Sequence, residues 1–388
     1  MKWEKVKLGD ICKYVTSGGT PKSSIKEYYE PKQIPWLKTK EVNYCRIYET
    51  ESYISKDGLD NSSAKMIPQN SVIVAMYGQG DTAGRVAINK IPLTTNQACC
   101  NLIIDETKAC YEFVYYQLVT LYEKMVSLKN GGAQPNLNAA IIKSMEIKLP
   151  PLKTQRYIAD ILSSYDDLIE NNQKQIKLLE EAAQRLYKEW FVDLRFPGHE
   201  NTKIVDGVPE GWRVASIADI CDTVGGGTPS TKIQSYYEKG DILWVTPTDI
   251  TRNFSLALLD TEKKITPEGL KNSSAKMLPA ETILMTSRAS VGFFGMCKYE
   301  VCTNQGFISC IPKRENLQMY LLFNLKSRVE EIRQKAGGST YLEISKTVFR
   351  ELKIILPKDE VLAEYQKNVH DIFDEIYCRT EMIKSKRP

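Results

Sequence analysis

The chain has 388 residues, 42% of them hydrophobic and 26% charged, with a formal net charge of +4. That length exceeds what a single hydrophobic core usually serves, so two globular domains are expected. No apolar run approaches the roughly 20 residues that span a bilayer as a helix, and the start, MKWEKVKLGD, lacks a signal-peptide core, so a cytoplasmic protein is expected. Ten cysteines are scattered without a CxxC pair, and His199 and His370 are the two histidines, which argues for reduced thiols and against a metal centre. Charge is distributed in blocks: residues 1–152 and 212–356 each carry a net +4, and the connecting segments together carry −4. Basic blocks between acidic connectors suit contact with nucleic acid by the blocks.

In chain order, short β-rich runs at 72–76 and 99–104 sit among Gly, Pro and Asn turns, and a helical pattern follows at about 110–128. The pair Gly131-Gly132 then suits a left-handed helix cap, and a final strand ends at Leu149-Pro150. The same succession returns: a strand near 282–285, a helical pattern at about 316–335, a glycine pair at Gly337-Gly338, and a last strand ending at Leu356-Pro357. The two stretches are a duplication. Gly18-Gly19-Thr20-Pro21 returns as Gly226-Gly227-Thr228-Pro229, Tyr28-Tyr29 as Tyr236-Tyr237, Trp36 as Trp244, and Thr95-Asn96-Gln97 as Thr303-Asn304-Gln305, all at one spacing. Residues 61–66, NSSAKM, recur at 272–277.

Each copy is followed by something of a different kind. Residues 153–191 contain neither Gly nor Pro, and Ile158, Leu162, Tyr165, Ile169, Asn172, Ile176, Leu179, Ala183, Leu186 and Trp190 alternate gaps of four and three, the seam of a left-handed coiled coil. Its expected partner is the second connector, where Val369, Phe373 and Ile376 continue the pattern. Asn172 is the strongly polar seam position: either it sets register as a buried amide or it sits partly exposed near mid-helix. The fold class is therefore α+β, with two repeated mixed α/β domains separated by two long helices that form an antiparallel coiled coil.

This organisation resembles the specificity subunits of type I restriction-modification systems. The resemblance covers almost the whole chain and is carried by VKLGDI near the start, SGGTP at 17–21, TNQA at 95–98, the helix entry LPPLKTQRYIADIL, its exit LYKEWFVDLRFPG, and VPEGW before the second copy. It implies a first target recognition domain over 1–152, a spacer helix over 153–196, a linker and second target recognition domain over 197–356, and a second spacer helix over 357–388. It also implies a non-catalytic, cofactor-free chain that binds double-stranded DNA and assembles with two DNA adenine methyltransferase (modification) subunits, which use S-adenosylmethionine, and optionally with ATP-using restriction (motor and nuclease) subunits. The second helix departs from this pattern. It lacks counterparts of 178–191, so a partner subunit or an oligomer is expected to complete its coverage of the first. No GxxxxGK[ST] loop, adenine-methyltransferase Asn/Asp-Pro-Pro-aromatic motif or GxGxxG turn occurs, and GQGDTAG at 78–84 has the wrong spacing for a nucleotide fingerprint. The alternatives are the specificity subunit of a restriction system outside type I and a free-standing DNA-binding regulator; a nuclease finds no supporting motif.

Two halves of a bipartite site differ, so residues shared by both copies suit scaffold or DNA-backbone contact, and differing loops suit base reading. Three loops differ. Lys38 and Lys40 follow Trp36, whereas Thr246 and Thr248 follow Trp244; Tyr77 and Gln79 answer to Arg288 and Ser290; Gln134 and Asn136 answer to Thr340 and Tyr341. Arg288, Gln79, Gln134 and Asn136 have the chemistry for guanine or adenine edges. Lys22, Lys38, Lys40 and Lys232 are expected on phosphates, and Arg85 is a weaker candidate that could instead pair with Asp81.

Overall fold

A computed structural model describes residues 3–78, 80–128, 136–338 and 341–386. It comprises two compact units, residues 1–166 and 167–388.

In the first unit, strands Cys12–Ser17, Cys99–Ile104, Val72–Ala75 and Val86–Asn89 lie antiparallel in that order, and Cys45–Ile47 adds in parallel at the edge beside Val86–Asn89. All four residues of Val72–Ala75 are buried. Side chains alternate across a strand, so Val72 and Val74 enter one core with Leu102, Val114 and Leu118, whereas Ile73 and Ala75 enter another with Leu37, Ile67 and Leu93. A smaller sheet places Ile34–Leu37 between Tyr53–Ile54 and Thr94–Thr95, the latter parallel. Glu4–Lys7 pairs antiparallel with Glu146–Leu149, tying the start of the repeat to its end.

The second unit repeats this plan. Cys221–Val224, Phe307–Pro312, Ile283–Thr286 and Phe294–Gly295 form the main sheet; Ile242–Val245 lies between Lys264–Ile265 and Cys302–Thr303; and Arg213–Ser216 pairs with Lys353–Leu356. The fifth edge strand is reduced to a single bridge between Ala257 and Met296.

The helical region after each sheet is broken. Tyr111–Thr120 and Tyr122–Ser127 meet at Leu121 (φ −99°, ψ 13°), and Gln318–Ser327 and Val329–Gln334 meet at Arg328 (φ −112°, ψ 20°). The expected glycine cap of the second copy is not present: Lys335 closes the helix with right-handed backbone (φ −84°), and Gly337 lies beyond it, exchanging backbone hydrogen bonds with Glu343. Gly131 and Gly132 fall outside the described residues.

The seam forms the expected long helix, Leu152–Tyr187, which continues into a π-helical turn at Lys188–Val192. Within the second unit it runs antiparallel to Asp359–Lys386. The Tyr365 hydroxyl donates to the Ala183 carbonyl (3.4 Å), and eleven residues earlier on the first helix the Asn172 amide oxygen accepts from Arg379 (3.0 Å). Asn172 is 2% exposed, and its amide nitrogen donates to the Leu168 carbonyl. It is a buried cross-helix partner, the register-setting alternative of the two readings. Leu162 and Tyr165, at the start of the seam, are exposed at 37% and 45%. Among the described residues no helix is long and apolar enough to cross a membrane.

Each domain is fastened to the helix that follows it by a buried glutamine. Gln155 accepts from the Cys110 amide at the start of Tyr111–Thr120 (2.9 Å) and donates to the Pro150 carbonyl (2.8 Å). Gln366 takes the corresponding place in the other copy, accepting from the Met319 amide at 2.9 Å but donating to the Gln318 side chain at 3.3 Å. The first turn of a helix has backbone donors without internal partners, and neither helix has a side-chain cap of its own. In the second unit an aromatic cluster of Tyr187, Trp190, Phe191, Trp212, Tyr320 and Tyr365 adds to this fastening.

Candidate nucleic-acid interface

The shared motifs converge on one hub in each repeat. A Cβ on Gly18 would fall on the Thr95 carbonyl oxygen, and one on Gly19 would fall on Ser63 and Ala64; Gly226 and Gly227 stand in the same relation to Thr303, and to Ser274 and Ala275. The glycines are there because backbone must approach backbone. The Trp36 indole donates to the Gly19 carbonyl and the Tyr29 hydroxyl to the Pro21 carbonyl (3.0 and 2.7 Å). Trp244 and Tyr237 repeat both bonds on Gly227 and Pro229 (3.0 and 2.6 Å). Five stretches that are distant in sequence are thus locked into one piece, which explains why they were duplicated together.

The hub also carries the three loops that differ. The Asn96 amide donates to the Leu37 carbonyl (2.9 Å), Met76 donates to Ala98 (2.8 Å), and Leu137 donates to Met76 (3.1 Å). In the second copy Asn304 donates to Val245 (3.0 Å), Ser287 to Gly306 (2.8 Å), and Ile344 to Ser287 (3.0 Å). The same three bonds, at equivalent positions, hold the segment after the tryptophan strand, the segment after the central strand and the segment beyond the paired helices around one Asn-Gln turn. The three loops that differ in sequence thus lie on one rim.

The individual candidates fare differently. Lys22 and Lys232 are exposed on the turns after the Gly-Gly-Thr-Pro loops. Lys38 is half-buried, with its ammonium over the Trp36 ring at 4.9 Å. Lys40 is exposed but paired to Glu51, which raises its pKa and screens its charge. Tyr77 is half-buried against the core, and burial raises its hydroxyl pKa. Asn136 is exposed beside Leu137. Thr246 is occupied locally: its hydroxyl and its amide both bond Asp249, capping Pro247–Thr251. Thr248 is exposed within that helix. Arg288 is exposed, with Nε 3.6 Å from Glu343, across a bridge between their backbones. Ser290 is half-buried, its carbonyl taken by the Thr286 hydroxyl, and Tyr341 is 60% exposed. Gln79, Gln134 and Thr340 lie outside the described residues. Arg85 bonds Asp81 and Asn43 (2.6 and 2.8 Å), the local alternative foreseen for it.

What sequence reading missed is the centre of the rim. Gln97 and Gln305 are exposed there, each accepting from the hydroxyl of Thr20 or Thr228. The signal was their identity in both copies at positions that packing does not require.

The family model described as "Type I restriction modification DNA specificity domain" matches residues 1–181 and again 209–388. The chain belongs to that family. Among curated relatives, the specificity subunit of the type I restriction enzyme MjaIX from Methanocaldococcus jannaschii is 29% identical over 98% of this chain and 89% of its own length. The HindI specificity subunit of Haemophilus influenzae is 24% identical over 99% and 96%. The crystal structure of a type I restriction-modification S subunit from M. genitalium shares the fold, with a TM-score of 0.62 over 100% of this chain and 93% of that one at 16% identity. The two matched segments of this specificity-family chain coincide with the two repeats, each taken with its helix.

Proposed function

We propose that this chain is the non-catalytic DNA-reading subunit of a type I restriction-modification complex, in which each repeat reads one half of a bipartite double-stranded site. The observation that carries the reading is the pair of matching rims: one hydrogen-bonded skeleton, retained twice, holds three loops that are rewritten between the copies. A scaffold kept constant under varied loops is the arrangement expected when two domains perform one operation on different sequences. Functionally the chain divides at 1–152, 153–196, 197–356 and 357–388, with Lys22, Lys38, Lys40, Tyr77, Gln79, Gln134 and Asn136 reading or holding one half-site. Lys232, Thr246, Thr248, Arg288, Ser290, Thr340 and Tyr341 serve the other. The antiparallel helices act as a stiff spacer between half-sites and as the docking element for two adenine methyltransferase subunits, which bring the cofactor and the chemistry. Restriction subunits are optional members of the assembly.

The test is a domain exchange read by methylation mapping. Replacing residues 212–356 with the corresponding segment of a related subunit should rewrite one half of the methylated sequence and leave the other half and the spacing intact. A change in both halves would sink the modular reading.

A further inference from the structure

Gln97 and Gln305 are polar, exposed and identical, and nothing in the packing of the hub calls for them. The neighbouring glycines, tryptophans and buried threonines are explained by close contact; a side chain in solvent is not. An exposed hydrogen bond between two neutral side chains contributes about 0.5–1.5 kcal/mol, a modest reason to keep both partners in both copies while nearby positions change. Ala98 is answered by Gly306, Lys22 by Ser230, and Tyr77 by Arg288.

The chemistry of the pair is directional. The threonine hydroxyl donates into the glutamine's carbonyl oxygen, which fills one of its two lone pairs and fixes the carboxamide with its nitrogen turned away. Among the described residues that nitrogen has no partner in either copy. A carboxamide nitrogen offers two N–H donors and accepts nothing, so the ligand must be an acceptor. It must also be the same acceptor in both repeats, because the same pair is kept while the loops around it differ. Base edges fail this condition when two half-sites differ in sequence; phosphate oxygens, present at every nucleotide, meet it.

We propose that Thr20–Gln97 and Thr228–Gln305 are twin phosphate clamps at the centres of the two rims, which seat the DNA backbone at the same depth in each repeat whatever bases the loops then read. This rests on the DNA-reading function proposed above and adds the division of labour within each rim, with a constant centre for position and a variable edge for sequence.

The test uses the full chain assembled with its methyltransferase subunits, a duplex carrying the site obtained by methylation mapping, and a scrambled duplex of equal length. Gln97→Glu and Gln305→Glu replace the donor with a carboxylate of the same shape. Each should weaken binding to both duplexes by a similar factor, about 10- to 100-fold, the cost expected when a charge-assisted contact becomes repulsive. The methylated sequence should stay unchanged. Replacing phosphates one at a time with neutral methylphosphonates should cancel the Gln97→Glu defect at one position in one half-site, and the Gln305→Glu defect at one position in the other. Gln97→Lys, which keeps the donors and adds charge, should instead tighten both complexes at low salt, so a poorly folding Glu variant does not decide the question alone. An altered half-site sequence would overturn the clamp in favour of base reading. A lowered melting temperature with affinity within about twofold would overturn it in favour of a structural role, because an unmade phosphate contact changes no affinity. If the unmutated assembly binds the two duplexes equally and methylates no bipartite site, the DNA-reading function itself falls, and the clamp with it.

Discussion

The two repeats differ least in the hub, whether its side chains are buried like Trp36 or exposed like Gln97, and most in the loops that hang from it. On one side lie the Gly-Gly-Thr-Pro loop, the tryptophan that donates to it and the Asn-Gln turn, the same in both copies down to individual hydrogen bonds. One residue further out, Lys38 over a tryptophan ring is answered by Thr246 capping a helix, and Tyr77 against the core is answered by Arg288 facing Glu343. Equivalent positions therefore carry different tasks. The comparison shows that rim chemistry was rewritten without disturbing the hub, because the rim hangs from backbone bonds that are indifferent to side-chain identity.

The strongest way to break this comparison is to attack the hub. Gly18→Ala and Gly226→Ala each drive a methyl group into a carbonyl oxygen of the neighbouring strand, and overpacking of this kind typically costs about 1–3 kcal/mol. Each variant should lower the melting temperature and abolish recognition of one half-site, a different one in each case, as read by methylation mapping. Equal loss of both half-sites from either change would mean that the hubs do not serve separate domains.

A somewhat smaller effect is expected at the fastening glutamines. Gln155→Leu leaves the Cys110 amide buried without a partner and Gln366→Leu does the same to Met319, a loss of about 1–3 kcal/mol each. Thermal unfolding should show destabilisation for both variants. Retention of wild-type stability in either one would place the fastening elsewhere, the aromatic cluster being the next candidate in the second unit.

The smallest effects belong to the rim and sharpen the comparison rather than break it. Arg288→Ala should relax base preference at one position of one half-site by about 1–3 kcal/mol, the worth of a good arginine–guanine pair. Lys40→Ala should change affinity by less than about twofold, because its charge is already answered by exposed Glu51. A large loss at Lys40 would show that Glu51 does not screen it from the DNA backbone, and no change at Arg288 would remove the second loop from base reading.

Much of the fold was legible in the sequence because its signals are local and periodic. The 4-3 seam gave the long helix, and short β-branched runs between turn residues gave the strands at 72–75 and 99–104. The seam runs on to Trp190, but a 4-3 pattern does not foretell that the helix closes there as a π-helical turn packed into a ring cluster. The break at Leu121 escaped notice because no glycine or proline marks it. The interface was less legible for a related reason. Gln155 meets Cys110 across 45 positions of chain and Gln97 meets Thr20 across 77, and no periodicity records such a meeting. Within the shared triplet Thr95 is buried and Gln97 exposed, a difference that identity between the copies does not reveal.

The central strand of the first repeat, apolar on both faces, leaves one question of alignment to other atoms. When every side chain along a strand is apolar, a slip by one residue still buries apolar groups on both sides, so the pattern does not choose the register. Buried Asn89 on the adjacent strand makes that choice: its side chain accepts from the Ser71 amide just before the strand (2.9 Å) and donates to the carbonyls of Pro68 and Ile91 (2.8 and 2.9 Å). A slip would carry the Tyr77 loop along by about 3.3 Å, and the rise of one base pair is about 3.4 Å. On the base-reading role proposed for that loop, a one-residue slip in the sheet matches a one-base-pair shift along DNA in size, and a buried asparagine guards against it.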